Sequence, residues 1–480
     1  MNRRMVFYMI GQIIKVEALL LVLPLIVSLC YGESCWQAYA ATIGIALAVG
    51  FGFTLISKPG TKLIFAKEGF VIVAVSWILM SFIGALPFVI SKEIPRVVDA
   101  FFETVSGFTT TGASILPNVE LMSHGNLFWR SFTHWIGGMG VLVFIMAIVP
   151  SATDRSIHIM KAEVPGPIMG KLVPRVKQTA RILYLIYVAM TVLEFIMLLC
   201  GGMSVFESAV HTFGTAGTGG FGVRGDSIAG YSPYIQWVIT AFMLLFGVNF
   251  NLYYLLLLRR FSSVFKSGEL WTYLGINFAA TAIIAVNIFN LYGSVEQSIR
   301  LSAFQVASIS TTTGFATADF NAWPEFSKGI LLALMFIGAM AGSTAGGLKV
   351  SRIVLLFKMI KREFLHMLHP RSVSAVRFEG KTVNDDTLNS VSSYFSLFMG
   401  GFFVMFLLLC LDKYDFQTNF SAVAACINNI GPGFGAVGPA GNFAGYSDFS
   451  KIILSAAMLL GRLELYPMLI ALSPSTWSKK

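Results

Sequence analysis

Thr311, Thr312, Thr313 and Gly314 stand together in SISTTTGFATADF (308–320), in the middle of a very apolar chain. Threonine and glycine are poor material for a helix core. Backbone carbonyls and threonine hydroxyls are uncharged oxygen donors, which can take over the water shell of a cation. Glycine belongs where backbones pack closely or adopt left-handed angles. The pattern recurs. Without gaps, ETVSGFTTTGAS (103–114) aligns with HTFGTAGTGGFG (211–222), QVASISTTTGFA (305–316) and AVAACINNIGPG (422–433), and Gly112, Gly220, Gly314 and Gly431 share a column. The intervals of 108, 94 and 117 residues each leave room for an outgoing helix, a loop and a returning helix.

Other chemistries find little support. His124, His134, His158, His211, His366 and His369 form no plausible ligand set, and no Ser/His/Asp or Cys/His arrangement suggests catalysis. Cys30, Cys35, Cys200, Cys410 and Cys426 are odd in number and read as buried small residues. An intramembrane enzyme would need paired catalytic groups within spans, where only Glu17, Glu194 and Glu464 occur as acids.

The elements that must position the repeats are membrane helices. The chain has 480 residues, 56% hydrophobic and 12% charged, against roughly 25% charged in soluble domains. Ten stretches approach the ~20 apolar residues needed to cross a bilayer: 5–31, 36–56, 69–91, 126–150, 181–201, 233–258, 272–293, 328–360, 389–411 and 450–472. The first is too long and too interrupted for a cleaved leader and reads as a retained span. DAFFETVSGF, SVFESAVHTF, LSAFQVASIS and NFSAVAACIN are too short to cross and run straight into the glycine loops, as re-entrant half-helices do. With the N-terminus inside, 24 of the 34 Lys+Arg face inward and 8 outward, which satisfies the positive-inside rule. The outer face is net negative, which concentrates cations. Asp99, Glu103 and Glu207 would attract them or cap the half-helices, and Asp319 falls on the outer rim. The basic inner face fits anionic lipid or a docked cytosolic partner. The fold class expected is an all-α polytopic membrane protein. Four M1–pore-helix–M2 repeats surround a pseudo-fourfold pore, preceded by two extra N-terminal transmembrane helices.

FTTTGA, STTTGF and NNIGPG, with AGSTAGG in the eighth span, resemble the Trk potassium-uptake family (its TrkH/TrkG membrane subunit) over essentially the whole chain. The two extra spans favour Trk over the shorter Ktr relatives. The resemblance implies potassium uptake across a bacterial inner membrane, a homodimer of pore-forming chains and a cytosolic nucleotide-binding ring of the TrkA type. It implies K+ as the transported ion, no organic cofactor, no enzymatic activity, lipid around the chain and no nucleic-acid partner. Both termini would be cytoplasmic. The filter lining it implies is the backbone of Thr110, Thr111 and Gly112; Thr218, Gly219 and Gly220; Thr312, Thr313 and Gly314; and Asn429, Ile430 and Gly431. In the second loop either Gly219 or Gly220 could be the filter glycine, and the fourth lacks threonine and gains Pro432. The chain divides into two extra spans (1–68) and repeats at 69–155, 178–265, 270–362 and 388–480.

GAMAGSTAGGLK (338–349) interrupts the third outgoing span. It fails the phosphate-binding pattern GxxxxGK[ST], because Leu348 separates Gly347 from Lys349. Small residues also serve helix packing, but Gly342, Ser343, Thr344, Ala345, Gly346 and Gly347 in succession break a helix outright. The family has a mobile intramembrane loop there, which makes these residues the expected gate. Arg462 lies inside a predicted span, and an intramembrane charge normally faces water or a partner. It could snorkel, pair with Glu464 or enter the cavity below the filter; the family's arginine in this helix favours the last. A coupled secondary cation symporter (K+ with H+ or Na+) is the alternative function. It would ordinarily show two inverted repeats rather than four in one direction.

Overall fold

The computed structural model describes residues 1–57, 66–140, 176–371 and 374–477. His158, the basic loop 151–175, the end of the expected fourth span and the end of the first repeat lie outside them. Among the described residues the regular structure is helical apart from one two-residue hairpin, Arg377–Phe378 with Lys381–Thr382.

Helices α1 (Arg3–Leu20) and α2 (Val22–Cys30) form one span broken at Leu21. Pro24 fits the first turn of α2 but, without an N–H, cannot continue the hydrogen bonding of α1. Helix α3 (Trp36–Ile56) returns against α1. A Cβ on Gly11 would lie 2.8 Å from the Gly50 carbonyl, a backbone approach that only small residues permit.

The four repeats then follow. Long incoming helices α4 (Ala66–Ile90), α7 (Val176–Cys200), α12 (Gly268–Tyr292) and α16 (Asp385–Leu409) present apolar residues such as Leu193, Val286 and Leu407 outward. Half-helices α5 (Val97–Phe108), α8 (Val205–Gly217), α13 (Val295–Ser310) and α17 (Phe416–Ile427) end in buried residues. At 12 to 16 residues they reach about 18–24 Å, short of the ~30 Å hydrocarbon layer. The third is longer than Ala303–Ile309: Ser294 caps it and a Glu296–Arg300 pair at 2.8 Å supports its first turns.

The outgoing helices differ from expectation. Helices α6 (His124–Gly138), α9 (Pro233–Phe246), α14 (Glu325–Met335) and α18 (Asp448–Arg462) each stop after 11 to 15 residues. Among the described residues, six helices are long and apolar enough to cross a membrane. Three outgoing spans resume after a break, as α10 (Phe250–Leu257), which the short α11 (Phe261–Phe265) follows, α15 (Val350–Leu368) and α19 (Tyr466–Leu472). The second turns by 90° at Gly247–Asn249. Only the third break was expected. The second hides in three residues, where Asn249 caps α10, and the fourth turns on Glu464 at φ +53°. Apolar length does not report helical continuity.

Three cysteines also depart from expectation. Cys30, Cys200 and Cys410 are exposed at the ends of α2, α7 and α16, while Cys35 and Cys426 are buried.

Candidate ion pathway

Each half-helix ends in the same backbone motif. Thr110, Thr218, Thr312 and Asn429 adopt left-handed angles with φ of 56–57°. The next amide reaches back five residues: Thr111 N–H to Ser106 O (2.9 Å), Gly219 to Gly214 (2.8 Å), Thr313 to Ser308 (2.8 Å) and Ile430 to Ala425 (2.8 Å). This is a Schellman closure with threonine or asparagine where glycine is usual. For β-branched threonine the conformation is an outlier, costing about 1–3 kcal/mol at each site. The sequence offered no sign of it.

One step further, Gly112, Gly220, Gly314 and Gly431 all have φ between 77° and 100°. Gly220 therefore occupies the glycine position of the second loop, and Gly219 occupies that of Thr111. The four positions interlock. A Cβ on Gly112 would overlap the carbonyl of Gly219, one on Gly220 that of Thr313, one on Gly314 that of Ile430, and one on Gly431 would crowd that of Thr111. The loops thus close a ring in chain order. In the first and third, paired hydroxyls brace the loop from behind: Thr109 with Thr111 and Thr311 with Thr313, both at 2.8 Å. In the fourth, Asn429 Nδ2 donates to Thr111 Oγ1 (3.0 Å) and the Met458 carbonyl (2.9 Å).

All four glycines line one cavity of about 130 Å3, on the side of the ring where the half-helices begin. The acids expected at this mouth have partners. Glu103 is buried and pairs with Arg130 at 2.7 Å. It also accepts hydrogen bonds from Ser114 Oγ and Ile115 N–H, both at 2.9 Å, so it ties the chain beyond the first glycine to α6. Neither capping nor open attraction of cations describes it. Asp99 pairs with buried Lys451 at 2.6 Å, and Asp319 caps a short 3-10 turn, Phe320–Ala322. Glu207 does cap, through a reciprocal box with Ser204, and also meets Arg224 at 3.1 Å. Sequence reasoning missed Arg130, although a cation four residues into an apolar run was a usable signal.

Below the ring lies the segment between α14 and α15. Its Gly346 N–H donates to Thr312 Oγ1 at 2.7 Å, and a Cβ on Gly346 would lie 2.7 Å from the Asn428 carbonyl. The loop therefore touches the undersides of the third and fourth quarters. Met340 N–H donates to Gly247 O (3.1 Å), and Phe250 N–H to Gly342 O (3.0 Å). These bonds couple the third break to the second. Ala341 N–H donates to Glu269 at 2.8 Å. Gly342, Ser343, Ala345, Gly346 and Gly347 line an inner cavity of about 80 Å3 together with Lys349 and Arg462; Thr344 is fully buried.

Arg462 ends α18 and donates to Thr344 O at 2.7 Å, to Gly138 O at 2.8 Å and to Gly137 O. It spans from the fourth repeat to the loop and to the end of α6. Glu464, weighed above as its partner, pairs with Arg352 at 2.7 Å. Among the described residues no group of three or more His, Cys, Asp or Glu is placed to hold a metal ion.

Residues 37–480 match the family model of TrkH, described as a cation transport protein. The Trk system potassium uptake protein TrkH of Escherichia coli K12 is 36% identical over 484 residues, covering 99% of this chain and all of that one. TrkG of the same organism is 34% identical, covering 99% of this chain and 98% of its own. The crystal structure of the potassium transporter TrkH from Vibrio parahaemolyticus superposes with a TM-score of 0.89 at 31% identity, covering both chains fully. With interlocked glycine loops, broken outgoing helices and full-length similarity agreeing, this chain belongs to the TrkH family of cation transport proteins.

Proposed function

We propose that this chain conducts potassium into the cell across a bacterial inner membrane, as the pore subunit of a Trk-type uptake system. The observation that carries the reading is the closed ring of four left-handed loops above a hydrogen-bonded intramembrane loop. Each half-helix brings its carbonyl end, with partial negative charge, to the ring. The amides of Thr111, Gly219, Thr313 and Ile430 are spent on the helix closures, leaving the loop carbonyls to replace a cation's hydration shell. Thr110 to Gly112, Thr218 to Gly220, Thr312 to Gly314 and Asn429 to Gly431 form the filter, and K+ is the transported substrate.

Gly342 to Gly347 act as the gate and Arg462 as its latch. The shared seam of the second and third breaks supports this assignment, because the loop is held by individual hydrogen bonds rather than by a continuous helix. The four repeats follow the division given above. The basic segment 349–388 receives a TrkA-type nucleotide-binding ring, and two copies of the chain form a dimer. The termini face the cytoplasm.

The test is 86Rb+ uptake into liposomes containing this chain alone, with K+ or Na+ competing. Uptake blocked by K+ but not by Na+ is expected. Gly314→Ser should abolish that discrimination, since a side chain at φ +85° would overlap the Ile430 carbonyl. Intact uptake and selectivity in that variant would overturn the filter assignment.

A further inference from the structure

The second loop is the quarter with the smallest side chains. Where the first and third have Thr-Thr-Thr-Gly, it has Gly217, Thr218, Gly219 and Gly220, and so lacks both hydroxyls of the bracing pair. Gly217 and Gly219 are absent from the residues with positive φ, so backbone conformation does not call for glycine at either. What stands there instead is His134, from the outgoing helix of the first repeat. A Cβ on Gly219 would overlap the imidazole at Cγ and Nδ1, and one on Gly217 would overlap the His134 carbonyl.

We infer that His134 is a positioning residue for the second filter loop: its imidazole replaces the missing threonine pair, and Gly217 and Gly219 are glycines because His134 fills their side-chain space. The inference rests on the filter reading above.

His134 is fully buried. Its Nδ1 lies 2.7 Å from the Gly107 carbonyl, and Phe221 N–H donates to its Nε2 at 3.3 Å. A carbonyl at one nitrogen and an amide donor at the other assign the Nδ1–H tautomer. The ring packs 4.3 Å from that of Phe221, and the Arg130 guanidinium stands over the same Phe221 ring at 4.0 Å. Ser131 Oγ donates to the Phe221 carbonyl at 3.3 Å. Three residues of α6 thus hold the residue that follows Gly220.

The brace also differs in where it is anchored. In the third loop, Thr311 Oγ1 donates to Ala307 O on the same repeat's half-helix, and in the first Thr109 Oγ1 donates likewise to Val105 O. In the second, the anchor is Gly107 O, on the half-helix of the first repeat. His134 therefore fixes the first and second quarters relative to each other, where the third loop's threonine pair ties that loop to its own helix.

The test uses the full chain in liposomes and reads 86Rb+ uptake against K+ and Na+. His134→Ala should let Na+ compete at about tenfold lower concentration, the effect of losing roughly one buried hydrogen bond. His134→Gln, whose amide can still accept from Phe221, should recover part of the discrimination. The complementary pair approaches the same contact from the loop. Gly219→Ala alone forces a methyl group into the imidazole and should lose discrimination similarly, while Gly219→Ala with His134→Ala, where that clash is gone, should lose no more than His134→Ala alone. A double variant in which the two losses add overturns the inference, and where His134→Ala alone fails to fold, unchanged discrimination in folded Gly219→Ala overturns it. Gly314→Ser, in the third loop and outside the His134 contact, is the control. If it abolishes selectivity while folded His134→Ala keeps it, the positioning role is wrong and the filter stands. If Gly314→Ser keeps it, the filter reading itself fails.

Discussion

Arg462→Ala should raise cation flux. In the structure the guanidinium donates to the intramembrane loop at Thr344 O and to the end of α6 at Gly137 O and Gly138 O. The first of these holds the loop directly. A hydrogen bond to a charged group contributes about 1.5–3 kcal/mol, so its loss changes the closed-to-open ratio roughly 10- to 150-fold. A loop closed 99 times in 100 would then be open roughly 10–60% of the time. The bond from Gly346 N–H to Thr312 Oγ1 remains and keeps the shift finite. The assay is initial 86Rb+ uptake per chain in liposomes, with size-exclusion profiles matched to the parent. Arg462→Lys retains the charge but not the fork, which separates a latch from a bare electrostatic barrier. Equal flux from the parent and folded Arg462→Ala refutes the reasoning. A rise with alanine and none with lysine moves the barrier from the latch to the charge.

Other perturbations follow from the same contacts. Glu103→Ala strands the buried Arg130 guanidinium and should destabilise the protein by about 3–5 kcal/mol, read as a lower thermal midpoint in detergent. Thr312→Val removes the acceptor for Gly346 N–H, costing about 1–3 kcal/mol of loop docking, and should raise basal flux in the same liposome assay. Burial pushes the Glu33 carboxyl up, but the Gly125 and His124 amides and the His124 ring outweigh it and hold it below its ordinary range. Its stabilisation is therefore fully present above about pH 4.3 and is lost as pH falls through the lower folded value. Glu33→Gln should flatten that acid limb of the thermal midpoint.

The glycine column was legible because one residue type answers two demands at once, positive φ and contact with a neighbour's carbonyl. The third break was legible because Ala341 to Gly347 are all small. The second and fourth breaks were not, since Gly247-Val248-Asn249 and Leu463-Glu464-Leu465 are short and keep the mean hydropathy high. Loop register escaped for a different reason. Gly219 and Gly220 have the same composition, and only their φ angles, with Gly220 positive, separate them. The pairing of Glu103 with Arg130, and of Asp99 with Lys451, joins residues 27 and 352 positions apart. A charge count by loop registers such residues as mouth acidity, whereas the fold uses them as struts.

The amides of the intramembrane loop have one more implication. Gly338, Met340, Ala341 and Gly346 donate to Leu348 O, Gly247 O, Glu269 and Thr312 Oγ1. Any displacement leaves several donors without partners at membrane depth, where each costs kilocalories unless solvated. The loop can move only as fast as water arrives to take those places. On the gate reading proposed above, opening is a wetting event, and dehydrating osmolytes outside the vesicle should slow it before they slow the ion.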